Sequence, residues 1–324
     1  MTIHLLAQRG RRRHPVKALT ALELAVVKEL QRDGRAPNSV IARTVGVTEK
    51  TVRRIIGELL ERQAIEITAV TFPHLLGYRA MAFALLQTDG TRPRHDVADE
   101  LAALGSVDYA AITTGPTDLM INAVCQDLDE LDSVIENEIH KVAGARLVEV
   151  APYLSLRYQR PSRSGLPTAV PTAVTPDGIT MDSLDRDIIR ALGQDGRVPY
   201  LQLASKLGVS EAQIRLRVKK LTGMGALRIM AIVDPVFLGF DTMAWLAVRL
   251  SGHGSASVVE SLIAMEPVSY IAETAGSFDL MVELVCIDER ELRESLDQIR
   301  QMDGIAAVLP HVYFDLYYKP MLLR

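Results

Sequence analysis

Leu203-Ala204-Ser205-Lys206-Leu207-Gly208-Val209-Ser210-Glu211-Ala212-Gln213-Ile214 closes one short amphipathic segment in a glycine turn and opens another on a capping serine. Ile41-Ala42-Arg43-Thr44-Val45-Gly46-Val47-Thr48-Glu49-Lys50-Thr51-Val52 does the same 162 residues earlier. The offset holds without a gap from Leu30/Leu192 to Gly90/Gly252, and it aligns Asp33-Gly34-Arg35 with Asp195-Gly196-Arg197 and Pro73…Gly77 with Pro235…Gly239. It then slips by one, so that Gly115-Pro116-Thr117-Asp118-Leu119-Met120 answers to Gly276-Ser277-Phe278-Asp279-Leu280-Met281. Solenoid repeats have periods of roughly 20–50 residues. This period is far longer, so the chain is a duplicated pair of domains.

Each copy begins with helical periodicity. Thr20-Ala21-Leu22-Glu23 is a capping box opening a helix with Leu22, Val26, Val27 and Leu30 on one face. A second short helix ends at Gly46, and Thr48 caps a third that runs to about Arg62. The second copy repeats the arrangement, with Ser210 and Gln213 as its capping box. Three short helices with a glycine turn between the last two predict a helix-turn-helix.

The period then changes from 3.6 to 2. Ile65–Thr71 and Leu227–Val233 read as connecting strands. Strand (79–88), helix (93–104), strand (107–113), hairpin at Gly115, strand (119–125), helix (128–142) and strand (146–156) follow. The order βαββαβ predicts an antiparallel sheet under two helices, the ferredoxin-like arrangement. The fold class is therefore α+β, two helix-turn-helix domains each followed by a ferredoxin-like βαββαβ domain. The expected divisions are a basic disordered arm (1–18), head one (19–64), α/β domain one (65–159), a Pro-rich linker (160–180), head two (181–226) and α/β domain two (227–324). A linker of about twenty residues has a random-coil span near ~25 Å, enough for the copies to pair.

Composition narrows the function classes. The chain has 324 residues, 48% of them hydrophobic, with ordinary charge, which indicates a globular protein. Two cysteines, Cys125 and Cys286, make no disulfide framework, and no apolar stretch approaches the ~20 residues of a membrane span. A cytoplasmic setting is expected. The seven histidines are scattered, and none stands at metal-ligand spacing with another His or Cys. No catalytic, metal or cofactor site is expected from the residues.

The net charge of −4 hides local cations: Arg9, Arg11, Arg12, Arg13 and Lys17 in the arm, and Arg215, Arg217, Lys219 and Lys220 on the third helix of copy two. Stepping residues at 100° puts Lys50 and Arg54 outward in copy one, with Thr51 and Arg53 on the flanks. In copy two Ala212, Leu216, Lys219 and Lys220 point outward, flanked by Gln213 and Arg215. Outward cations suit phosphate neutralisation, and Arg54 or Gln213 suits bidentate base reading. The competing reading is that these cations are simply solvated. The candidate DNA contacts are Thr48, Lys50, Thr51, Arg53, Arg54, Ser210, Gln213, Arg215, Arg217, Lys219 and Lys220. Because the outward sets differ, the two heads are expected to read dissimilar half-sites.

The hairpins supply the second candidate site: Thr114, Gly115, Thr117 and Asp118, and Ala275, Gly276, Ser277 and Asp279. Glycine there permits a tight turn or close approach to a ligand. Asp118 and Asp279 either cap their own turns or meet a ligand ammonium group. Residues 107–127 and 267–287 contain no Lys, Arg or His, which suits a small zwitterion and not a polyanion.

Copy two carries Leu184-Asp185…Asp187-Ile188-Ile189, Asp195-Gly196-Arg197, Leu203-Ala204…Leu207-Gly208-Val209-Ser210, Arg217-Val218-Lys219-Lys220-Leu221, Gly225, Asp234-Pro235…Leu238-Gly239-Phe240 and Thr274-Ala275-Gly276…Asp279-Leu280. In this it resembles the Lrp/AsnC (feast/famine) transcriptional regulators. The resemblance implies DNA-binding heads, ligand-sensing α/β domains of the RAM type, an amino-acid effector near the Gly-x-x-Asp hairpin, and self-association through the α/β domains. Copy one departs, with Ile55 for Arg217, Gly57 and Glu58 for Lys219 and Lys220, and Phe72 for Asp234. Siroheme decarboxylases resemble the same family and are the alternative. Their polycarboxylate substrate calls for His and Arg in the α/β cleft, which the hairpin regions lack, so the chain is expected not to be an enzyme.

Overall fold

The structure is a computed structural model describing residues 17–159, 180–252 and 255–318. The expected disordered arm (as far as residue 16) and almost all of the linker (160–179) lie outside the described residues.

Each head is built from helix ends that the sequence specifies locally. Thr20 caps α1 (Ala21–Arg32) in a capping box with Glu23, and Asp182 caps α6 (Ser183–Gln194) with Asp185 in the same way. Gly46 (φ +75°) and Gly208 (φ +68°) end α2 (Asn38–Val45) and α7 (Tyr200–Leu207) in the left-handed region. Thr48 and Ser210 then cap α3 (Glu49–Glu61) and α8 (Glu211–Gly223).

The heads do not fold as separate bodies. The connecting strands β1 (Ile65–Val70) and β6 (Arg228–Val233) pair antiparallel with each other, from Ile65↔Val233 to Val70↔Arg228. Val26, Leu30, Leu59 and Ile67 of copy one thereby share a single core with Ile188, Leu192, Leu221 and Ala231 of copy two. A unit of three short helices buries a small apolar surface and is marginal by itself, and the shared core enlarges what it buries.

The Asp-Gly-Arg motifs clasp this seam. Gly34 N–H donates to Ile229 O at 2.7 Å and Gly196 N–H to Ile67 O at 2.8 Å. A Cβ on Gly34 would stand 2.8 Å from Met230 N, and one on Gly196 2.8 Å from Ile67 O, so neither position has room for a side chain. Arg197 reaches across to Gly34 O (2.7 Å), Ala36 O (2.8 Å) and Asn38 Oδ1 (3.1 Å). Arg35 answers with Gly196 O (2.7 Å) and Val198 O (3.1 Å).

The α/β units follow the expected order. Copy one runs β2 (Ala80–Thr88), α4 (Arg94–Ala103), β3 (Val107–Thr113), β4 (Leu119–Cys125), α5 (Leu128–Asn137) and β5 (Ala145–Gln159). Copy two runs β7 (Thr242–Leu250), α9 (Ser255–Ile263), β8 (Val268–Thr274), β9 (Leu280–Cys286), α10 (Glu289–Arg300) and β10 (Ile305–Tyr318). Two boundaries differ from expectation by more than a residue. The helix expected to reach Val142 gives way after Asn137 to a 3₁₀ turn (Ile139–Lys141), which carries Ile139 and Val142 into the core. β5 also outruns its expected end because its second half has a partner in the other copy.

That partnering closes the two sheets into one eight-stranded barrel, in the order β10-β3-β4-β2-β5-β8-β9-β7. The first part of β5 pairs with β2 and the rest crosses to β8, with Tyr153 opposite Thr274. β10 likewise leaves β7 for β3, with Tyr313 opposite Thr113. Val97, Leu101, Leu131 and Val134 cover the first sheet, and Val258, Leu262, Leu292 and Ile299 the second. Inside the barrel Phe83, Met120, Trp245 and Met281 meet. The Phe83 and Trp245 rings lie 4.6 Å apart, and Trp245 Nε1 donates to Tyr109 Oη at 3.0 Å. Glu283 accepts from Ser269 Oγ (2.6 Å) and Tyr313 Oη (2.9 Å), and burial pushes its carboxyl up from the usual range. Among the described residues no helix is long and apolar enough to cross a membrane.

Candidate nucleic-acid interface and ligand seats

On α3, Val52, Ile55, Ile56 and Leu59 face the core, which leaves Lys50, Thr51, Arg53 and Arg54 outward. Thr48 Oγ1 receives Thr51 N–H at 3.1 Å, and the two threonine hydroxyls lie 2.9 Å apart. Arg53 pairs with Glu49 (3.2 Å) and Arg54 with both oxygens of Glu58 (2.6 and 2.7 Å). The Arg54 side chain is 60% exposed, and exposed i,i+4 pairs contribute only about 0.3–0.5 kcal/mol. Such a pair is readily exchanged for a phosphate or a guanine edge.

On α8, Ile214, Val218 and Leu221 face inward, while Gln213, Arg215, Lys219 and Lys220 are exposed. Ser210 Oγ accepts from Gln213 N–H at 3.2 Å. Arg215 pairs with Glu211 and lies over the Tyr200 ring at 5.2 Å. Arg217 belongs to a different structure. Its guanidinium bonds Asp182 (2.6 Å) and Asp185 (2.9 Å), which brace α8 against the start of α6 and raise its pKa. Where copy one has Ile55 in the core, copy two has this brace, so neither residue is on the outer face. Leu216 is 69% exposed at the position where copy one carries Arg54.

Each hairpin sits on the last strand of the other copy. Thr114 N–H donates to Val312 O (2.8 Å), and Ala275 N–H to Pro152 O (2.9 Å). The aspartates tie each hairpin to the end of its own copy's first strand, not to the turn itself: Asp118 accepts from Thr88 N–H and Oγ1 (both 2.9 Å), and Asp279 from Leu250 N–H (2.7 Å). Gln87 donates to Pro116 O (2.7 Å), and Arg249 in the matching place donates Nε and Nη2 to Ser277 O (3.1 Å each). Thr117 is buried and approaches His311 Nδ1 at 3.3 Å. His311 is wholly buried, and desolvation pushes its pKa down, which keeps the imidazole neutral. Ser277 N–H donates to Glu149 Oε1 at 2.7 Å.

Local composition misjudged the charge around the hairpins. Their own segments hold no cation, yet Arg94 stands 3.7 Å from Asp118 and Arg249 lies on the second hairpin. Both come from elements flanking the hairpins in space. His311 and Glu149 arrive from the other copy, a placement that only the barrel's register reveals.

An AsnC-type helix-turn-helix domain matches residues 19–59 and 181–222, and an Lrp/AsnC ligand binding domain matches residues 81–162 and 243–321. The chain belongs to the Lrp/AsnC family. It is similar to the HTH-type transcriptional regulator FL11 of Pyrococcus abyssi, 31% identical over 128 residues, which is 39% of this chain and 85% of that protein. The regulatory protein AsnC of Haemophilus influenzae is 30% identical over 128 residues, again 85% of its length. Lrp/AsnC regulators of this size thus correspond to one copy, and the chain is a transcriptional regulator of Lrp/AsnC type in which the unit occurs twice.

The siroheme decarboxylase NirDL matches the whole arrangement, covering 92% of this chain and 92% of its own with a TM-score of 0.65 at 18% identity. The likeness shows the fold alone, but it corrects the expectation that the chain is not an enzyme. An enzyme is built on the same doubled Lrp/AsnC architecture, so neither the fold nor the lack of cations within the hairpin segments excludes catalysis.

Proposed function

We propose that one chain reads two dissimilar half-sites of duplex DNA, with α3 and α8 entering successive major grooves, and that a small amino-acid-like effector at the hairpins modulates DNA binding or assembly. The observation that supports this most is the shared core of the heads. The β1–β6 ribbon and the Asp-Gly-Arg clasp hold α3 and α8 in one rigid unit, whose spacing then sets the half-site spacing. The outward faces differ: Lys50, Thr51, Arg53 and Arg54 on α3, and Gln213, Arg215, Lys219 and Lys220 with exposed Leu216 on α8. Thr48 and Ser210 present the helix N-termini, where phosphates are favoured. Further self-association of chains through the α/β domains, and a cytoplasmic setting, belong to the same reading.

Binding to selected duplexes across a salt series, with and without a panel of amino acids, tests it. A steep salt dependence and an affinity shift with one effector are expected. Arg54→Ala should relax preference in one half-site by about 1–3 kcal/mol and leave the other unchanged. A loss spread evenly over both half-sites would refute the division of labour.

A further inference from the structure

We propose that the second hairpin is a carboxylate seat that the chain already fills with its own Glu149, so that a ligand's carboxylate enters by displacing that side chain. The effector reading above supplies the competitor, and the present inference names the chemistry it must carry. Three features converge on the seat. Ser277 N–H donates to Glu149 Oε1 at 2.7 Å. Gly276 has φ +133°, and a Cβ there would fall 2.8 Å from the same oxygen, so only glycine lets the carboxylate settle on the turn. Arg249 donates twice to Ser277 O, which fixes the orientation of the neighbouring peptide and brings a full positive charge to the hairpin.

The first hairpin keeps the turn and its positive-φ glycine, Gly115, but loses the other two features and the carboxylate. Pro116 has no N–H where Ser277 has one, Leu309 stands where Glu149 stands, and Gln87 replaces Arg249. A carboxylate is thus placed only where the hairpin has an N–H to give it. Glu149 belongs to the last strand of copy one, so the seat exists only because the copies pair. A tethered group acts at an effective concentration on the order of millimolar, and a free carboxylate must overcome it. Glu149 therefore works as a threshold, holding the seat closed until the ligand adds contacts beyond its carboxylate.

The test follows the Ser277 backbone amide by 15N–1H NMR in the full chain, wild type and Glu149→Ala, titrated with sodium acetate and separately with L-leucine. Glu149→Ala should displace the Ser277 resonance, and either probe should move it back toward the wild-type position at a concentration about tenfold or more below that needed in the wild type. Glu149→Gln retains an acceptor oxygen and should fall between the two. An unmoved Ser277 resonance in Glu149→Ala, or equal response of wild type and variant to both probes, would overturn the proposal. DNA binding measured on the same samples separates the two readings: if it is absent from both proteins while Ser277 responds, the regulator reading fails and the carboxylate seat stands.

Discussion

The seam between the heads and the seats under the hairpins are both places where one copy meets the other, yet duplication has treated them differently. At the seam Gly34 and Gly196 each donate to a strand of the opposite copy, and Arg35 and Arg197 exchange hydrogen bonds with opposite carbonyls. At the hairpins Glu149 faces Ser277 and Gly276, while Pro310 and His311 face Gly115. Groups that hold the halves together have matching partners because both sides of a joint must fit at once. Groups on the outward faces of α3 and α8 are under no such mutual constraint, and they differ at most outward positions.

The largest effects should come from breaking the joint. Gly34→Ala and Gly196→Ala each place a Cβ under 3 Å from backbone, and overpacking of this kind costs about 1–3 kcal/mol. Denaturant unfolding should show similar losses for the two, and a loss at only one would mean the clasp is one-sided. Arg197→Ala removes donors from three acceptors and Arg35→Ala from two, so the first should cost more, within about 1–3 kcal/mol for acceptors left unsatisfied.

Glu283→Gln probes the barrel interior. A carboxyl whose pKa is raised on folding binds its proton more tightly in the native state, so wild-type stability falls as pH rises from the unfolded carboxyl's range toward the raised native value. The glutamine variant should therefore gain on the wild type as pH rises toward neutrality, and the two should converge in acid. A pH-independent difference would show that Glu283 titrates normally.

The smallest effects concern the heads. Lys219→Ala should reduce the slope of log affinity against log salt by about 0.9, and Leu216→Arg should steepen it by a similar amount. If neither slope changes, α8 does not lie against the phosphates.

The helix-turn-helix units and hairpins are legible in the sequence because their signals are local: Thr48 and Ser210 cap, Gly46 and Gly208 turn, and Gly115 and Gly276 have positive φ. The βαββαβ order follows from periodicity. The closure of the barrel does not, because nothing local in β5 or β10 states which strand will take its second half. Arg217 was open to misreading for the same reason, since its partners Asp182 and Asp185 lie 35 and 32 residues away. A search for Lys, Arg and His within the hairpin segments could not see Arg94, Arg249 or His311, which reach the hairpins through pairing register and helix placement. The NirDL likeness marks a further limit, since regulators and a decarboxylase share this architecture.

The closed ring of strands also bears on mixed company. Among the described residues every strand of the ring is flanked on both sides, so the ring offers no unpaired edge there to a strand from another molecule. A single-copy relative in the same cell would have to open two joints of the ring, β5–β8 and β10–β3, and the β1–β6 seam of the heads before it could take the place of either half. The pairing of this particular α3 with this particular α8 is thus inherited with the gene, and no change in the abundance of related proteins would reshuffle it.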